Sequence, residues 1–501
     1  MSLDSVLLGF EVALQPVNLV YVFVGVFIGT VIGVLPGLGP TATIALLLPL
    51  TYTMDPATAV IMLAGIYYGS MYGGTITSVL LQLPGEAASV VTTIDGHQMA
   101  LQGRAGPALG IAAIGSFIGG TVSIIGLMAF APLLSDVALS FGPPEYTALT
   151  LLGLLLVTYL GTRSTAKSLV SAGFGLFLAS VGQDPVSGTT RFTFDSIALT
   201  GGLEFVAVVM GLFGIGEILH DLERAGGATM TSTRVGRLWP TVRDWAQARG
   251  AIMRGSVVGF ALGVIPGGGG LISSLASYAI EKRRARQPER FGKGAIEGVA
   301  GPETANNAAA TSTFIPLLTL GIPSNVVVAL LFGALLIQGI TPGPQLITTH
   351  PEIFWGVIAS MFVGNLMLLL LNIPLIGVFV QILRLRASVL GAITVVVSVL
   401  GVYSVNNNPF DMWVVLGSAV AGYLMRKTGF PPGPLVLAFI LGPIMERSFR
   451  QSLIMSDGHL SIFATRPTSA AILALAVVLL GWSTLKGARK PWQRLRAPAG
   501  G

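Results

Sequence analysis

Apolar residues along this chain gather into long runs that short polar stretches separate. The runs span residues 17–36, 40–52, 57–83, 107–132, 145–160, 165–182, 203–220, 254–280, 308–340, 353–382, 388–404, 412–425, 431–445 and 468–486. A helix needs about 20 apolar residues to cross a bilayer, and several runs are shorter or are interrupted by glycine and proline. Such interruptions are tolerated at membrane depth where protein or a wet cavity surrounds them. The pattern therefore predicts an all-α polytopic membrane protein with about 12 transmembrane helices plus re-entrant or broken hairpins.

The composition agrees with a membrane protein. Of the 501 residues, 52% are hydrophobic and 10% are charged, and the mean hydropathy is +0.79. Soluble domains carry about 25% charged residues, and a soluble chain this poor in charge would expose large apolar patches. The net charge of +6 could suggest nucleic acid, but Lys and Arg gather in short hydrophilic loops, as they do on the cytoplasmic side of membrane proteins. We therefore expect a lipid bilayer as the partner and no nucleic acid.

The basic loops also predict how the chain is oriented. Lys and Arg cluster between Asp221 and Arg254 and in the tail after Lys486, which places both segments, and the C-terminus, in the cytoplasm. The N-terminus has no basic n-region, so we interpret the apolar run from Val17 as a retained span and not as a signal peptide. The chain has no cysteine, which excludes disulfides and thiolate chemistry.

A motif of glycine and proline occurs twice in the chain. Residues 29–39 read GTVIGVLPGLG and residues 259–269 read GFALGVIPGGG, and a fainter echo follows each copy, Leu83-Pro84-Gly85 and Ile322-Pro323-Ser324. Acidic stretches flank the first copy and basic stretches flank the second, so the two copies should enter the membrane from opposite sides. Inverted-topology repeats of this kind are common in secondary transporters. The alternative is chance recurrence in a chain that contains 65 glycines.

The repeat predicts a division of the chain into four parts. Residues 1–225 form an N-terminal repeat with the first Pro-Gly hairpin, and residues 226–253 form a cytoplasmic linker. Residues 254–450 form a C-terminal repeat with the second Pro-Gly hairpin. Residues 451–501 form a terminal transmembrane helix and a basic cytoplasmic tail.

Each copy of the motif is a candidate substrate site. Proline breaks a helix, glycine lets a ligand approach the backbone, and a helix that restarts presents free N–H groups that suit an anion. The predicted substrate-binding residues at the two interruptions are Pro36, Gly37, Gly39, Thr41, Thr43, Pro266, Gly267, Gly268 and Gly269. A kink or tight helix packing is the alternative, but paired interruptions in two halves favour a transporter site.

Polar residues are also dense at the edges of two later membrane segments. Further predicted substrate-binding residues are Ser70, Gly74 and Thr75 in the N-terminal half and Asn306, Asn307, Ser312, Pro323, Ser324 and Asn325 in the C-terminal half. Polar groups inside a membrane are costly and usually functional, although hydrogen bonds between helices are the alternative. Glu303, Asn306 and Thr311 are the predicted ligands of a coupling cation or proton.

An enzyme embedded in the membrane and a passive channel are the rival classes. No P-loop lysine follows the glycines, and no zinc-protease, lipase or kinase signature occurs in the sequence. The four histidines lie apart and lack metal-ligand spacing, so we expect no cofactor and no metal except a sodium ion used for coupling. Inverted repeats favour alternating access over a channel. The expected function is therefore transport and not catalysis.

Taken together, the motifs resemble those of the TctA family, the large permease subunit of bacterial tripartite tricarboxylate transporters. The resemblance covers residues 10 to 450 and rests on GVLPGLGPT from Gly33, GIYYGSMYGG from Gly65, LPGE from Leu83, DGHQMA from Asp95, GVIPG from Gly263 and GPETANNA from Gly301. It implies an ion-coupled importer of citrate or related di- and tricarboxylates in the bacterial inner membrane. It also implies a small TctB-like membrane subunit, a periplasmic TctC-like solute-binding protein and an elevator-like motion.

Overall fold

The computed structural model describes residues 3–35, 39–160, 164–184, 187–224, 236, 238–382, 395–396, 398–404 and 407–480. About 80% of these residues are helical, in agreement with the predicted all-α membrane fold. One two-residue antiparallel ladder, β1 (Gly182–Gln183) with β2 (Thr190–Arg191), is the strand structure in these residues. The count of about 12 spans stays a prediction. Pro36 and Gly37 of the first interruption, the basic residues 225–235 and the basic tail lie outside the described residues.

The first fourteen helices lie between Leu3 and Ser312. They are α1 (Leu3–Ala13), α2 (Pro16–Val34), α3 (Pro40–Thr51), α4 (Pro56–Leu81), α5 (Thr92–Leu101), α6 (Ala105–Leu139), α7 (Pro143–Leu160), α8 (Thr165–Ala179), α9 (Ile197–Thr200), α10 (Phe205–Val209), α11 (Gly216–Arg224), α12 (Val242–Val264), α13 (Gly269–Arg284) and α14 (Glu297–Ser312). Short 3₁₀ turns at Ala87–Val90 and Pro288–Arg290 precede α5 and α14, and a π-helical segment, Met210–Ile215, joins α10 to α11.

The remaining helices complete the C-terminal part of the chain. They are α15 (Phe314–Leu320), α16 (Val326–Ile337), α17 (Leu346–Thr349), α18 (Pro351–Ile382), α19 (Pro409–Thr428), α20 (Pro432–Met455), α21 (Ile462–Thr465) and α22 (Pro467–Leu480), and residues 398–404 are also helical. Prolines open many of these helices, because the first turn of a helix needs no backbone donor. Asp55 adds a side-chain cap to α4 by accepting from the Ala57 N–H at 3.0 Å.

Four helices in the described residues are long and apolar enough to cross a membrane. They are Pro16–Val34, Pro56–Leu81, Ala105–Leu139 and Pro351–Asn372 within α18. The apolar window of α4 is 100% buried inside the protein, against 33% for α6. Helix α4 is therefore surrounded by other helices, whereas much of α6 remains available to lipid.

The chain forms two compact units. One comprises Met1–Leu139 and Leu203–Pro432, and it contains every predicted site residue. The other comprises Ser140–Gly202 and Gly433–Gly501. Within this second unit, Arg466 pairs with the buried Glu145 at 2.7 Å, and Arg450 pairs with the buried Asp184 at 2.9 Å. The four-part division made from the sequence stays a prediction.

Glycines allow two helix pairs of the first unit to pack backbone against backbone. A Cβ atom added to the α2 glycines would collide with α4 carbonyl oxygens, at the pairs Gly25 with Met62, Gly29 with Ile66 and Gly33 with Ser70. The same holds for α12 against α14, at the pairs Gly255 with Gly301, Gly259 with Ala305 and Gly263 with Ala309. Small residues are the usual means of close helix approach in membranes. The glycines that define the repeated motif thus make corresponding contacts in both halves.

Candidate functional site

The second Pro-Gly motif forms a turn between two helices. Helix α12 ends at Val264 and α13 begins at Gly269, with Gly267 between them at φ +80°. Only glycine adopts this conformation readily, because a Cβ would strain the backbone there. The Gly267 N–H donates to the Ser324 carbonyl oxygen at 2.9 Å. The predicted site residues Gly267 and Ser324 are therefore in direct contact.

The first motif has a similar layout where it is described. Helix α2 ends at Val34, and Gly39 precedes α3 as its N-cap residue. The Thr43 hydroxyl donates back to the Gly39 carbonyl oxygen at 3.2 Å, while Thr41 lies partly exposed on the same first turn. The Thr43 hydroxyl, which the sequence assigned to the substrate site, therefore binds the backbone of the interruption.

The two restarted helices share an exposed amino end. No side chain caps α3 or α13, so no side-chain oxygen occupies their first N–H groups. A Cβ added to Gly39 or Gly269 would find no atom within 4 Å, although most glycines of this unit are tightly packed. Both helix starts therefore border open space, and free N–H groups together with the helix dipole favour an anion there.

The Pro-Gly echo of the first half packs against the end of α2. A Cβ added to Gly85 would collide with the Gly33 carbonyl oxygen and lie 2.6 Å from the Thr77 hydroxyl oxygen. The echo of the second half contacts the interruption itself, where the Ser324 carbonyl oxygen accepts from the Gly267 N–H. In both halves the echo therefore lies beside the Pro-Gly motif.

Two hydrogen bonds cross between the halves at these turns. Glu86 follows Pro84-Gly85, caps the next turn by accepting from the Ala88 N–H at 2.7 Å, and accepts from Asn306 Nδ2 at 3.0 Å. Asn325 follows Pro323-Ser324, caps α16 by accepting from the Val328 N–H at 3.0 Å, and donates to the Tyr67 hydroxyl at 3.2 Å.

These two bonds occupy equivalent positions. Along the chain, Glu86 and Asn325 stand the same number of residues apart as Tyr67 and Asn306. Each half therefore extends a capping residue to a helix of the other half. The chemistry differs, because a carboxylate at position 86 corresponds to a neutral amide at position 325.

Glu303 lies deep in the same region and is 1% exposed. One of its carboxylate oxygens accepts from the Thr75 hydroxyl at 2.6 Å, and the other accepts from the Thr92 hydroxyl. Glu303 lies on α14, Thr75 lies on α4, and Thr92 is the first residue of α5. The structure thus brings together Thr75 and Glu303, which the sequence had assigned to the substrate and the coupling ion respectively.

Two side-chain amides stand beside this carboxylate on α14. Asn307 donates to the Ser116 hydroxyl at 2.7 Å, and Asn306 donates to Glu86. The Oδ1 atoms of both amides are buried and have no hydrogen-bond partner among the described residues. Buried polar atoms are rarely left unpaired, so these oxygens are available to a ligand.

Other predicted site residues use their polar groups within their own helices. The hydroxyls of Ser70, Thr311 and Ser312 donate to the carbonyl oxygens of Tyr67, Asn307 and Ala309 respectively. Gly74 lies against the Glu86 side chain. The assignment of these residues to a site stays a prediction.

The sequence reasoning missed several residues that the fold brings to this region. They are Glu86, Tyr67, Thr92 and Ser116. A signal for Glu86 existed, because it follows Pro84-Gly85 as the predicted site residue Asn325 follows Pro323-Ser324. No comparable signal marks Thr92 or Ser116, since their partners lie far away in the sequence.

The carboxylates at this site have no basic neighbours among the described residues. Neither Glu86 nor Glu303 takes part in an ion pair, whereas the nearby cations of the unit are paired elsewhere, Arg254 with Glu281 at 2.7 Å and Arg104 with Asp244. No group of three or more His, Cys, Asp and Glu suited to a metal occurs in the described residues. The donors present are carboxylate, amide and hydroxyl oxygens, which suit hard cations and not soft metals.

A third buried carboxylate, Asp95 on α5, has a different environment. It is 0% exposed and accepts from the Tyr278 hydroxyl at 2.9 Å and from the N–H groups of Gly292, Gly294 and Ala295 at 2.8–2.9 Å. Four donors satisfy an isolated carboxylate well. Asp95 therefore ties the loop before α14 to α5 and is structural.

Comparison with known proteins identifies relatives of this chain. Residues 19–437 match the sequence model described as the tripartite tricarboxylate transporter TctA family. An Agrobacterium vitis protein described as "uncharacterized 52.8 kDa protein in TAR-I ttuC' 3'region" is 49% identical over 475 residues, which are 95% of each chain. A second Agrobacterium vitis protein, "uncharacterized protein in TAR-II ttuC' 3'region", is 51% identical over 220 residues, which are 44% of this chain and 91% of the relative. No solved structure matches.

Proposed function

Because this chain belongs to the TctA family of tripartite tricarboxylate transporters, we propose that it is the large permease subunit of an ion-coupled importer of carboxylates. Citrate and related di- and tricarboxylates are the proposed substrates. The apolar helices of a multi-pass membrane protein suit this function, and the polar groups inside them supply a path for a solute.

The observation that carries the proposal is the pair of uncapped helix starts beside open space. Substrate carboxylates would bind at the amino ends of α3 and α13, near Gly39 and Gly269. Thr41 would add a hydroxyl at the first start. The helix dipole places roughly half a positive charge at each helix start. This charge would attract an anion, so no buried lysine or arginine is needed. Pro266 and Gly267 would shape the turn between α12 and α13.

A cation would enter with the anion. The proposed ligands are Glu303, Asn306 and Thr311, and the ion is sodium or a proton. A cation beside the substrate reduces the net charge that has to cross the membrane, and charge is the costly property of a solute in lipid.

The carrier mechanism that we propose is alternating access of an elevator type between two inverted repeats. The corresponding glycine contacts of α2 with α4 and of α12 with α14 support a structural repeat. In inverted repeats, discontinuous helices from both halves form a site near the midplane of the membrane. One domain would then carry the bound anion and cation across together.

The proposed setting is the bacterial inner membrane, with the C-terminus in the cytoplasm. The chain would assemble with a small TctB-like membrane subunit, and a periplasmic TctC-like protein would deliver the carboxylate. Family membership is the support for these partners.

Counterflow in proteoliposomes tests the proposal. Vesicles that contain the chain with its small subunit would be loaded with unlabelled citrate, and uptake of labelled citrate would be measured with and without the binding protein. A carrier accelerates uptake when substrate is present on the opposite side, whereas a channel does not. Absence of this acceleration for citrate and for a panel of other di- and tricarboxylates would contradict the proposal.

A further inference from the structure

Glu86 and Glu303 together place two carboxylates inside the first unit. They are 9% and 1% exposed, and neither has a lysine, arginine or histidine partner among the described residues. Asn306 joins them, because it binds Glu86 and lies one helical turn after Glu303 on α14. The Glu86 side chain lies against the Gly74 position, and the next residue, Thr75, donates to Glu303. They therefore belong to one site.

In their ionised forms, the two carboxylates would carry more negative charge than the protein supplies to balance it. The amino end of α13 is nearby, since a Cβ on its Gly270 would collide with Asn306 Oδ1, and a helix start contributes about half a positive charge. The Thr75 and Thr92 hydroxyls are neutral. Ionisation of both groups would leave more than one negative charge without compensation, which a bound cation would offset, because unpaired buried charge is costly.

The Asn306 side chain indicates what completes the site. Asn306 is 0% exposed, and its Oδ1 atom has no donor among the described residues. This atom lies close to Gly270, 2.3 Å from where a Cβ would stand, and Ala88 lies beside the same point. Because Asn306 uses Nδ2 to bind Glu86, its Oδ1 stays free to accept, and a hard metal cation binds carboxylate and amide oxygens alike.

We propose that Glu86, Glu303 and the amide oxygen of Asn306 bind one sodium ion, with Glu86 as a ligand that the sequence did not indicate. The inference deepens the proposed function, since it rests on that function for the claim that this ion drives transport. Sodium binding itself requires no substrate and no partner subunit.

The alternative is that Glu86 only bridges the halves. The fold contains a matched control for that alternative, because Asn325 makes the equivalent bond to Tyr67 without a charge. Glu86→Gln keeps an acceptor oxygen for Asn306 Nδ2 and so keeps the bridge, whereas Asn325→Ala removes the other bridge without changing a charge. If Glu86 only bridges the halves, neither variant should change the response to sodium. Loss of a sodium ligand should weaken that response only in Glu86→Gln.

The experiment measures the thermal stability of the purified full-length chain in detergent against NaCl concentration, with choline chloride holding ionic strength constant. A ligand that binds the folded state raises the Tm as its concentration passes its Kd. We expect a saturable, sodium-specific rise for the wild type and for Asn325→Ala. For Glu86→Gln and Asn306→Ala we expect an apparent Kd for sodium that is weaker by about tenfold or more.

Two variants keep the test decisive if Glu86→Gln does not fold. Asn306→Ala removes the amide oxygen and shortens the side chain, and Glu303→Gln is an isosteric change at the second carboxylate, so both should also weaken sodium binding. A wild type without a sodium-specific rise overturns the proposal, as does an equal sodium response in Glu86→Gln, Asn325→Ala and the wild type. A sodium effect without counterflow would overturn the proposed transport function and leave the binding site intact.

Discussion

The Asn306 side-chain amide donates to the Glu86 carboxylate at 3.0 Å, across a sequence separation of 220 residues. The bond joins α14 of the C-terminal half to the Pro-Gly turn of the N-terminal half. In the equivalent bond the turn belongs to the C-terminal half, and its Asn325 donates to Tyr67 on α4 of the N-terminal half. Hydrogen bonds of this kind fix two distant segments against each other, so any motion that separates the segments has to break them.

Gly39 is expected to tolerate alanine structurally but not functionally. Its φ of −82° suits any residue, and a Cβ there meets no atom within 4 Å. Gly39→Ala should keep the wild-type Tm and reduce uptake, because the methyl group enters the space at the start of α3. Gly29→Ala is the contrast, since its Cβ collides with the Ile66 carbonyl oxygen, and such overpacking costs about 1–3 kcal/mol. Wild-type uptake by Gly39→Ala would remove Gly39 from the substrate path.

Gly267→Val is expected to abolish uptake while expression stays largely intact. The residue has φ +80° and donates to the Ser324 carbonyl oxygen, so a β-branched side chain strains and displaces the turn. Gly429→Val is a matched control, because Gly429 ends α19 at φ +75° and belongs to no predicted site. Uptake and size-exclusion profiles of both variants test the claim. Equal loss of uptake in the two would show that backbone strain alone is responsible.

Removal of the hydroxyls around Glu303 should weaken the response to the coupling ion. Thr75→Val and Thr92→Val each take one donor from a buried carboxylate, which costs about 1–3 kcal/mol and corresponds to about tenfold or more in affinity. The measurement is the sodium concentration that gives half-maximal uptake. Thr30→Val serves as the control, because the buried Thr30 hydroxyl bonds only to the Val26 carbonyl of its own helix. Unchanged sodium dependence in both test variants would assign Glu303 to packing.

Asp95→Ala should lower stability and not the affinity for the coupling ion. Four donors converge on this carboxylate, and its removal leaves them unpaired in a buried site, for a loss of about 3 kcal/mol or more. We expect a clearly lower Tm, with partial recovery in Asp95→Asn, which retains an acceptor oxygen. A wild-type Tm together with altered sodium dependence would instead place Asp95 in the ion site.

The sequence indicated much of the candidate site but not its connections. Gly267, Ser324, Thr75, Glu303 and Asn306 were chosen from local patterns, and the structure brings them into one region of the first unit. Serine and threonine hydroxyls were harder to interpret. A hydroxyl in a membrane helix can bond to the carbonyl one turn earlier or to a distant partner, and the sequence does not distinguish these outcomes.

By itself, the sequence determined the membrane class, the positions of the helix interruptions and the family. These properties depend on composition and on the local effects of glycine and proline, which act within a few residues. Only the tertiary structure decided that Glu86 meets Asn306 and that Thr92 meets Glu303, since these partners lie 220 and 211 residues apart. Such contacts depend on which helix faces pack together, and that outcome is a property of the whole chain and not of any segment.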